Sequence, residues 1–175
     1  RDKRVMYKLL NIFEFTSDRK RMSIVVRNLS DNQIEIITKG ADSLIRPRLN
    51  TKSKDSKKQL SYTLKQLEHF GTKGLRTLLV ASRFIDEDEY KEFNNEYKSA
   101  VVIRNAKEKA KKMDECYEML EKELNLIGAT AIEDCLQDEL EETLQAFRSI
   151  GMKIFMLTGD HPFTAISIAH SSGLM

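Results

Sequence analysis

Cysteine is nearly absent from this chain: its 175 residues hold only Cys116 and Cys135, nineteen positions apart. Neither sits in a Cys-x-x-Cys pair or beside a histidine. That pattern argues against a zinc site or a disulfide and for free thiols in a reducing compartment. An excess of one charge sign is missing too. Twenty-nine Lys and Arg face 27 Asp and Glu, a net charge of +2 that gives no argument for nucleic acid or an acidic partner. No apolar run approaches the roughly 18 residues of a membrane span, and no signal peptide opens the chain. The expectation is therefore a soluble, cytosolic polypeptide. Hydrophobic residues at 41% and charged residues at 32% suit a real core, and this length holds one domain or one domain plus part of another. The abrupt start at Arg1-Asp2-Lys3-Arg4 and the end on Ser-Gly-Leu-Met just after a helix read as cuts through a larger protein.

The first third of the chain has β character. Residues 22–29 are rich in β-branched side chains, and a polar turn at 30–32 separates them from 33–38, which predicts an antiparallel hairpin ended by Gly40. The polar, mostly basic stretch 51–59 reads as a solvated loop leading into a helix. Leu60, Leu64, Leu67 and Phe70 then recur at helical spacing up to Gly71. A strand follows Gly74 over 75–81. From Asp86 to about Glu123 the chain reads as helical and highly charged, with an apolar stripe through Ala106, Ala110, Met113, Tyr117, Leu120 and Leu124 that covers its own sheet.

Pattern changes near Asn125. Residues 126–132 form an apolar, small-residue strand, and Leu136, Leu140, Leu144 and Phe147 mark a helix stopped by Gly151. Ile154–Leu157 reads as a second, buried strand that breaks at Thr158-Gly159-Asp160. A helix then opens, with Asp160 as its cap and Pro162 near its first position. Strand, helix, strand, helix in this order is a βαβ unit with a right-handed crossover. The expected division is thus an antiparallel α+β piece over 1–125 and a slice of parallel α/β sheet over 126–175.

Several short blocks offer chemistry. Phe13-Glu14-Phe15-Thr16-Ser17-Asp18-Arg19-Lys20-Arg21-Met22-Ser23 combines aromatics with three cations, suited to stacking a base and drawing phosphates, or simply to a strand with a basic turn. Lys39-Gly40-Ala41-Asp42 puts a lysine at a strand end where glycine lets a ligand approach. Gly74-Leu75-Arg76-Thr77 offers a guanidinium at a strand start. A strand ending in Ile132-Glu133-Asp134 precedes the Thr158-Gly159-Asp160 strand end, where a hydroxyl, a glycine and a helix N-terminus suit an anion. Taken alone, each is also compatible with ordinary structure.

In type, order and approximate spacing, FEFTSDRKRMS, TKGAD, KGLRTL, GATAIEDCLQ and MKIFMLTGD followed by TA resemble the cytoplasmic ATP-handling domains of P-type ATPases, in particular the phospholipid-translocating (flippase) class. The long charged helical insert before Asn125 is similar to the flippase pattern as well. Ion-pumping members tend to carry Pro-Glu after Lys-Gly-Ala and Asp-Pro in place of Asp134-Cys135. Flippases usually continue Thr-Gly-Asp with Lys, whereas this chain has His161-Pro162-Phe163, which is closer to sodium-pump-like members. Neither the family's phosphorylated Asp-Lys-Thr-Gly-Thr motif nor its later Gly-Asp-Gly motif occurs here.

The resemblance implies an α+β nucleotide-binding domain with an antiparallel sheet over 1–125. Part of an α/β haloacid-dehalogenase-like, Rossmann-like phosphorylation domain follows over 126–175. It implies ATP and Mg2+ as cofactors, with the metal ligands mostly outside the segment and none assigned within it. By the same resemblance, Phe15 stacks on adenine, Lys39 lines that pocket and Arg76 meets the ATP phosphates. Asp134 sits at the interdomain hinge, Thr158 and Gly159 hold the transferring phosphoryl group, and Asp160 organises the nucleotide end of that site. The implied parent is a multi-pass membrane enzyme with this segment on the cytosolic face. A phospholipid is carried by the membrane domain, an accessory subunit is a possible partner, and nucleic acid has no role. An ion-pumping P-type ATPase segment and a non-catalytic nucleotide-binding module remain as alternatives.

Overall fold

The computed structural model describes residues 4–133, 136–158 and 162–175, with backbone alone at 163 and 164. Five strands form one sheet: β1 (Tyr7–Phe13), β2 (Arg21–Asn28), β3 (Ile34–Gly40), β4 (Arg76–Ile85) and β5 (Asn125–Ile132), in that order across it. The first four pair antiparallel. The β2–β3 hairpin has the expected position, because its β-branched run and its Asp31-Asn32 turn agree. Asp31 accepts from the Gln33 amide, and Asn32 takes the left-handed conformation at φ 63°.

Between β3 and β4 lie α1 (Asp42–Ile45), a single 3-10 turn (Arg46–Arg48) and α2 (Lys54–Thr72). The helix α2 starts earlier than its apolar spacing suggests and takes in most of the basic stretch expected to be a loop. The reason is local: the Ser53 hydroxyl accepts from the Ser56 amide at 3.0 Å, a cap ahead of lysines that are good helix formers.

The long charged segment is two helices, α3 (Glu87–Val101) and α4 (Ala106–Leu120), rather than one. Each has its own cap. Asp86 accepts from the Glu89 amide, while Asn105 accepts from those of Lys107 and Glu108. As expected, the apolar stripe faces the sheet, but only its second half does so: Leu120 and Leu124 are fully buried and Met113 and Tyr117 partly so, whereas Ala106 and Ala110 are exposed. Buried Cys116 is a free thiol whose pKa burial pushes up. Cys135 lies outside the described residues.

The chain folds as two compact units, 1–60 with 78–128, and 61–77 with 129–175. The core of the first lies between one sheet face and α3 and α4. Phe13 is its centre, with ring centroids 4.2 Å from Tyr117 and 5.5 Å from Phe93. The second unit contains α5 (Leu140–Ser149) and α6 (Pro162–Ser171). Gly151 ends α5 at φ 83°, a conformation that glycine adopts without the steric penalty of a Cβ, and Pro162 opens α6 as expected.

One expected element is absent. Residues 152–158 form no strand, and Phe155 and Leu157 are 81% and 95% exposed. A strand apolar on both faces forms only where neighbouring strands pair with its edges and other layers cover its faces. Among the described residues all five strands belong to the one sheet, and the run 154–157 is not one of them.

Candidate nucleotide site

Strand alternation builds the site. Side chains two residues apart on a strand share a face, and in β2 and β3 the two faces differ sharply. Arg21, Ser23, Val25, Ile36 and Thr38 turn toward α3 and α4 and are buried. Met22, Ile24 and Ile37 point the other way and stay half-buried, beside the exposed Lys39. Register places Lys39 between Met22 of β2 and Val80 of β4, with Ile24 and Ile37 as the next pair along. The result is an apolar strip with one ammonium at its end.

Phe15 lies in the loop joining β1 to β2, two residues beyond Phe13. Although neighbours in sequence, the two rings have opposite environments, Phe13 at 0% and Phe15 at 59% exposure. The loop closes as a tight turn in which the Lys20 amide donates to the Thr16 carbonyl at 2.8 Å and the Arg19 amide to the Thr16 hydroxyl at 3.1 Å. Lys20 adopts φ 46°, a left-handed value that a non-glycine residue takes only at some cost.

Two expectations about this region change. The Arg19-Lys20-Arg21 cluster is not a free cationic patch awaiting phosphates. Arg19 and Arg21 are 6% and 4% exposed, and both bond to the fully buried Glu121 just past α4, at 2.7 Å each. Arg19 also lies over the Tyr117 ring at 4.5 Å, and Tyr117, pushed up to about 12 chiefly by burial, stays neutral there. Only Lys20 of the three is exposed. Likewise, Gly40 does not leave room for a ligand. A Cβ there would lie 2.6 Å from the Arg21 Cβ and 2.8 Å from the Lys20 carbonyl oxygen, so the glycine admits the chain's own β2.

Of the remaining candidates, Arg76 is exposed at the first position of β4 and belongs with Thr158 to the second compact unit, whereas Phe15 and Lys39 belong to the first. Asp134, Gly159 and Asp160 lie outside the described residues. Sequence reasoning missed the strip of Met22, Ile24, Ile37 and Val80. The alternation of β2 carried a signal for it, once Arg21 and Ser23 are recognised as the inward set.

The α+β unit has a meandering sheet, with one face under two helices and the other carrying a lysine beside apolar side chains. Residues 1–139 match the family model described as P-type ATPase, cytoplasmic domain N, and the chain belongs to that family. Among curated proteins it is similar to phospholipid-transporting ATPase DRS2 of Saccharomyces cerevisiae, with 44% identity over 169 residues that cover 97% of this chain and 12% of the relative. Probable phospholipid-transporting ATPase 7 of Arabidopsis thaliana is 43% identical over 97% of this chain and 13% of its own length. Phospholipid-transporting ATPase C4F10.16c of Schizosaccharomyces pombe is 42% identical over 97% of this chain and 12% of its own length. The chain thus spans about an eighth of the length of these relatives.

Proposed function

We propose that this chain is the ATP-binding segment of a P-type phospholipid-transporting ATPase. In this reading the parent couples ATP hydrolysis, through an aspartyl-phosphate intermediate, to lipid movement across a membrane whose cytosolic side the segment faces. The observation that carries the reading is similarity across 97% of the chain to relatives named as phospholipid-transporting ATPases. Among the described residues no helix is long and apolar enough to cross a membrane, so in this reading the lipid path belongs to other parts of the parent.

The residues fit ATP. Phe15 is an exposed ring able to stack on adenine, the half-buried Met22, Ile24 and Ile37 give the base an apolar floor, and Lys39 supplies a cation at its edge. ATP, when bound, supplies the phosphoryl group and its charge. Arg76 neutralises phosphate charge, Thr158 and Gly159 hold the phosphoryl end, Asp160 organises the nucleotide end of that site, and Asp134 lies at the hinge. Phosphoryl transfer depends mainly on positioning and charge stabilisation, so a stacking ring, cations and oriented hydroxyls and amides are suitable parts. Residues 1–125 act as the nucleotide-binding domain, and 126–175 as part of a haloacid-dehalogenase-like phosphorylation domain. Magnesium accompanies the triphosphate, with its ligands mostly outside this segment.

The test uses the parent protein in membranes. Radiolabelled ATP should form a phosphoenzyme that a phospholipid of one headgroup class discharges faster. Discharge driven by Na+, K+ or Ca2+ and indifferent to lipid would overturn the lipid assignment in favour of an ion pump. Failure to bind ATP at all would overturn the nucleotide reading.

A further inference from the structure

Behind the open sheet face lies a charge cluster that the nucleotide reading does not use. Glu121 is 0% exposed, and its two carboxylate oxygens take three donors. Arg19 Nη2 donates to Oε1 and Arg21 Nε to Oε2, both at 2.7 Å, while the Ser23 hydroxyl also donates to Oε1. Ser23 in turn pairs with the Thr38 hydroxyl at 2.9 Å. Further carboxylates sit at the margin. Asp114 faces Arg19 at 3.4 Å, and Glu118 faces Arg21 at 2.6 Å and also pairs with Arg48, but both are about half exposed.

Three of the groups tied to Glu121 directly or through one hydroxyl, Arg21, Ser23 and Thr38, adjoin residues of the open face. Arg19 is the last inward residue of the loop that carries Phe15. Arg21 and Ser23 flank Met22, and Thr38 precedes Lys39. One buried carboxylate thus fixes the loop end and β2 directly and β3 through one hydroxyl. A buried ion pair adds little net stability compared with apolar packing, so a cluster this extensive calls for a role in specifying geometry.

We infer that Glu121 is the positioning residue of the adenine end of the site, holding the 14–20 loop and the Met22–Lys39 strip in binding geometry from the far side of the sheet. The inference rests on the nucleotide reading above. Glu121 touches no nucleotide. It reduces the loop ordering that binding must otherwise supply.

The test compares the full chain with Glu121→Gln and Glu118→Gln, well below their unfolding midpoints, where a lower stability leaves the folded fraction and hence the dissociation constant unmoved. In Glu121→Gln, ATP should bind severalfold to about tenfold more weakly, and amide hydrogen exchange over 16–21 should quicken about tenfold or more even without nucleotide. Glu118→Gln should leave both within about twofold, since its carboxylate is solvated. Unchanged loop exchange and affinity in folded Glu121→Gln overturn the inference, as does an equal effect from Glu118→Gln. A wild-type chain that binds no ATP instead overturns the nucleotide reading, while the exchange arm still reports on the loop. Should Glu121→Gln not fold, Arg19→Met removes the loop's tie to Glu121, together with its contacts to Asp114 and Tyr117, and leaves Arg21 and Ser23 on Glu121. Weaker ATP binding by that variant, restored in part by Arg19→Lys, supports the inference, and wild-type affinity refutes it.

Discussion

Phe13 and Phe15, two residues apart, should respond to truncation in opposite ways. Phe13 is 0% exposed, stacked on Tyr117 at 4.2 Å and tilted against Phe93 at 5.5 Å. Removing a buried aromatic ring typically costs about 3–5 kcal/mol. In a chain of this size each kcal/mol lowers the melting temperature by roughly 2–4 °C, so Phe13→Ala should melt about 6–20 °C below wild type. Phe15 is 59% exposed, and its truncation should change stability by no more than about 0.5 kcal/mol. Stacking adds about 0.5–1.5 kcal/mol beyond area burial. Phe15→Ala should therefore weaken ATP binding severalfold to roughly tenfold. Thermal unfolding by circular dichroism and ATP titration calorimetry on the full chain measure both quantities for both variants. Equal ATP affinity in Phe15→Ala would remove that ring from the site. A loss of more than about 2 kcal/mol in the same variant would mean that the ring is part of the core.

Gly40→Ala should destabilise by about 1–3 kcal/mol, visible in the urea midpoint, because the new Cβ would lie 2.6 Å from the Arg21 Cβ and 2.8 Å from the Lys20 carbonyl oxygen; a neutral result would mean that β2 and β3 yield easily there. Glu87 is held below the usual carboxylate range chiefly by its hydrogen bonds from Arg27. A depressed folded value contributes stability above the ordinary carboxyl pKa that is lost as pH falls through the depressed one. The stability gap between wild type and Glu87→Gln should therefore shrink from pH 7 to pH 3, and a gap that widens toward acid would contradict that sign. In the parent protein, Arg76→Ala and Thr158→Ala should slow phosphoenzyme formation far more than they weaken adenine binding. Normal phosphorylation by Arg76→Ala at subsaturating ATP would withdraw Arg76 from the phosphates.

Local patterns made some parts of the fold legible and long-range pairing hid others. The β2–β3 hairpin could be read because β-branched runs and an Asp-Asn turn sit within twenty residues of one another. Gly151 and Pro162 likewise punctuate their helices by their own stereochemistry. The early start of α2 depends on a serine cap that apolar spacing does not register, and the break before α4 depends on Asn105. Arg19 and Arg21 read as a free basic patch because their acceptor, Glu121, lies about a hundred residues downstream. The run 154–157 has the composition of a buried strand, but composition does not supply the neighbours that such a strand needs. In the proposed site, Phe15 and Lys39 rest on motif resemblance. The apolar strip beside Lys39 required the strand register.

If ATP lies on the sheet face opposite α3 and α4 as proposed, methyl-resolved NMR of the full chain titrated with ATP reads it most directly. The Met22, Ile24 and Ile37 methyl signals and the Phe15 ring should then shift together along one saturating curve, while buried Val25, Ile36 and Leu120 move little. Shifts centred on the α3–α4 side, or no saturable shift at the strip, would contradict it.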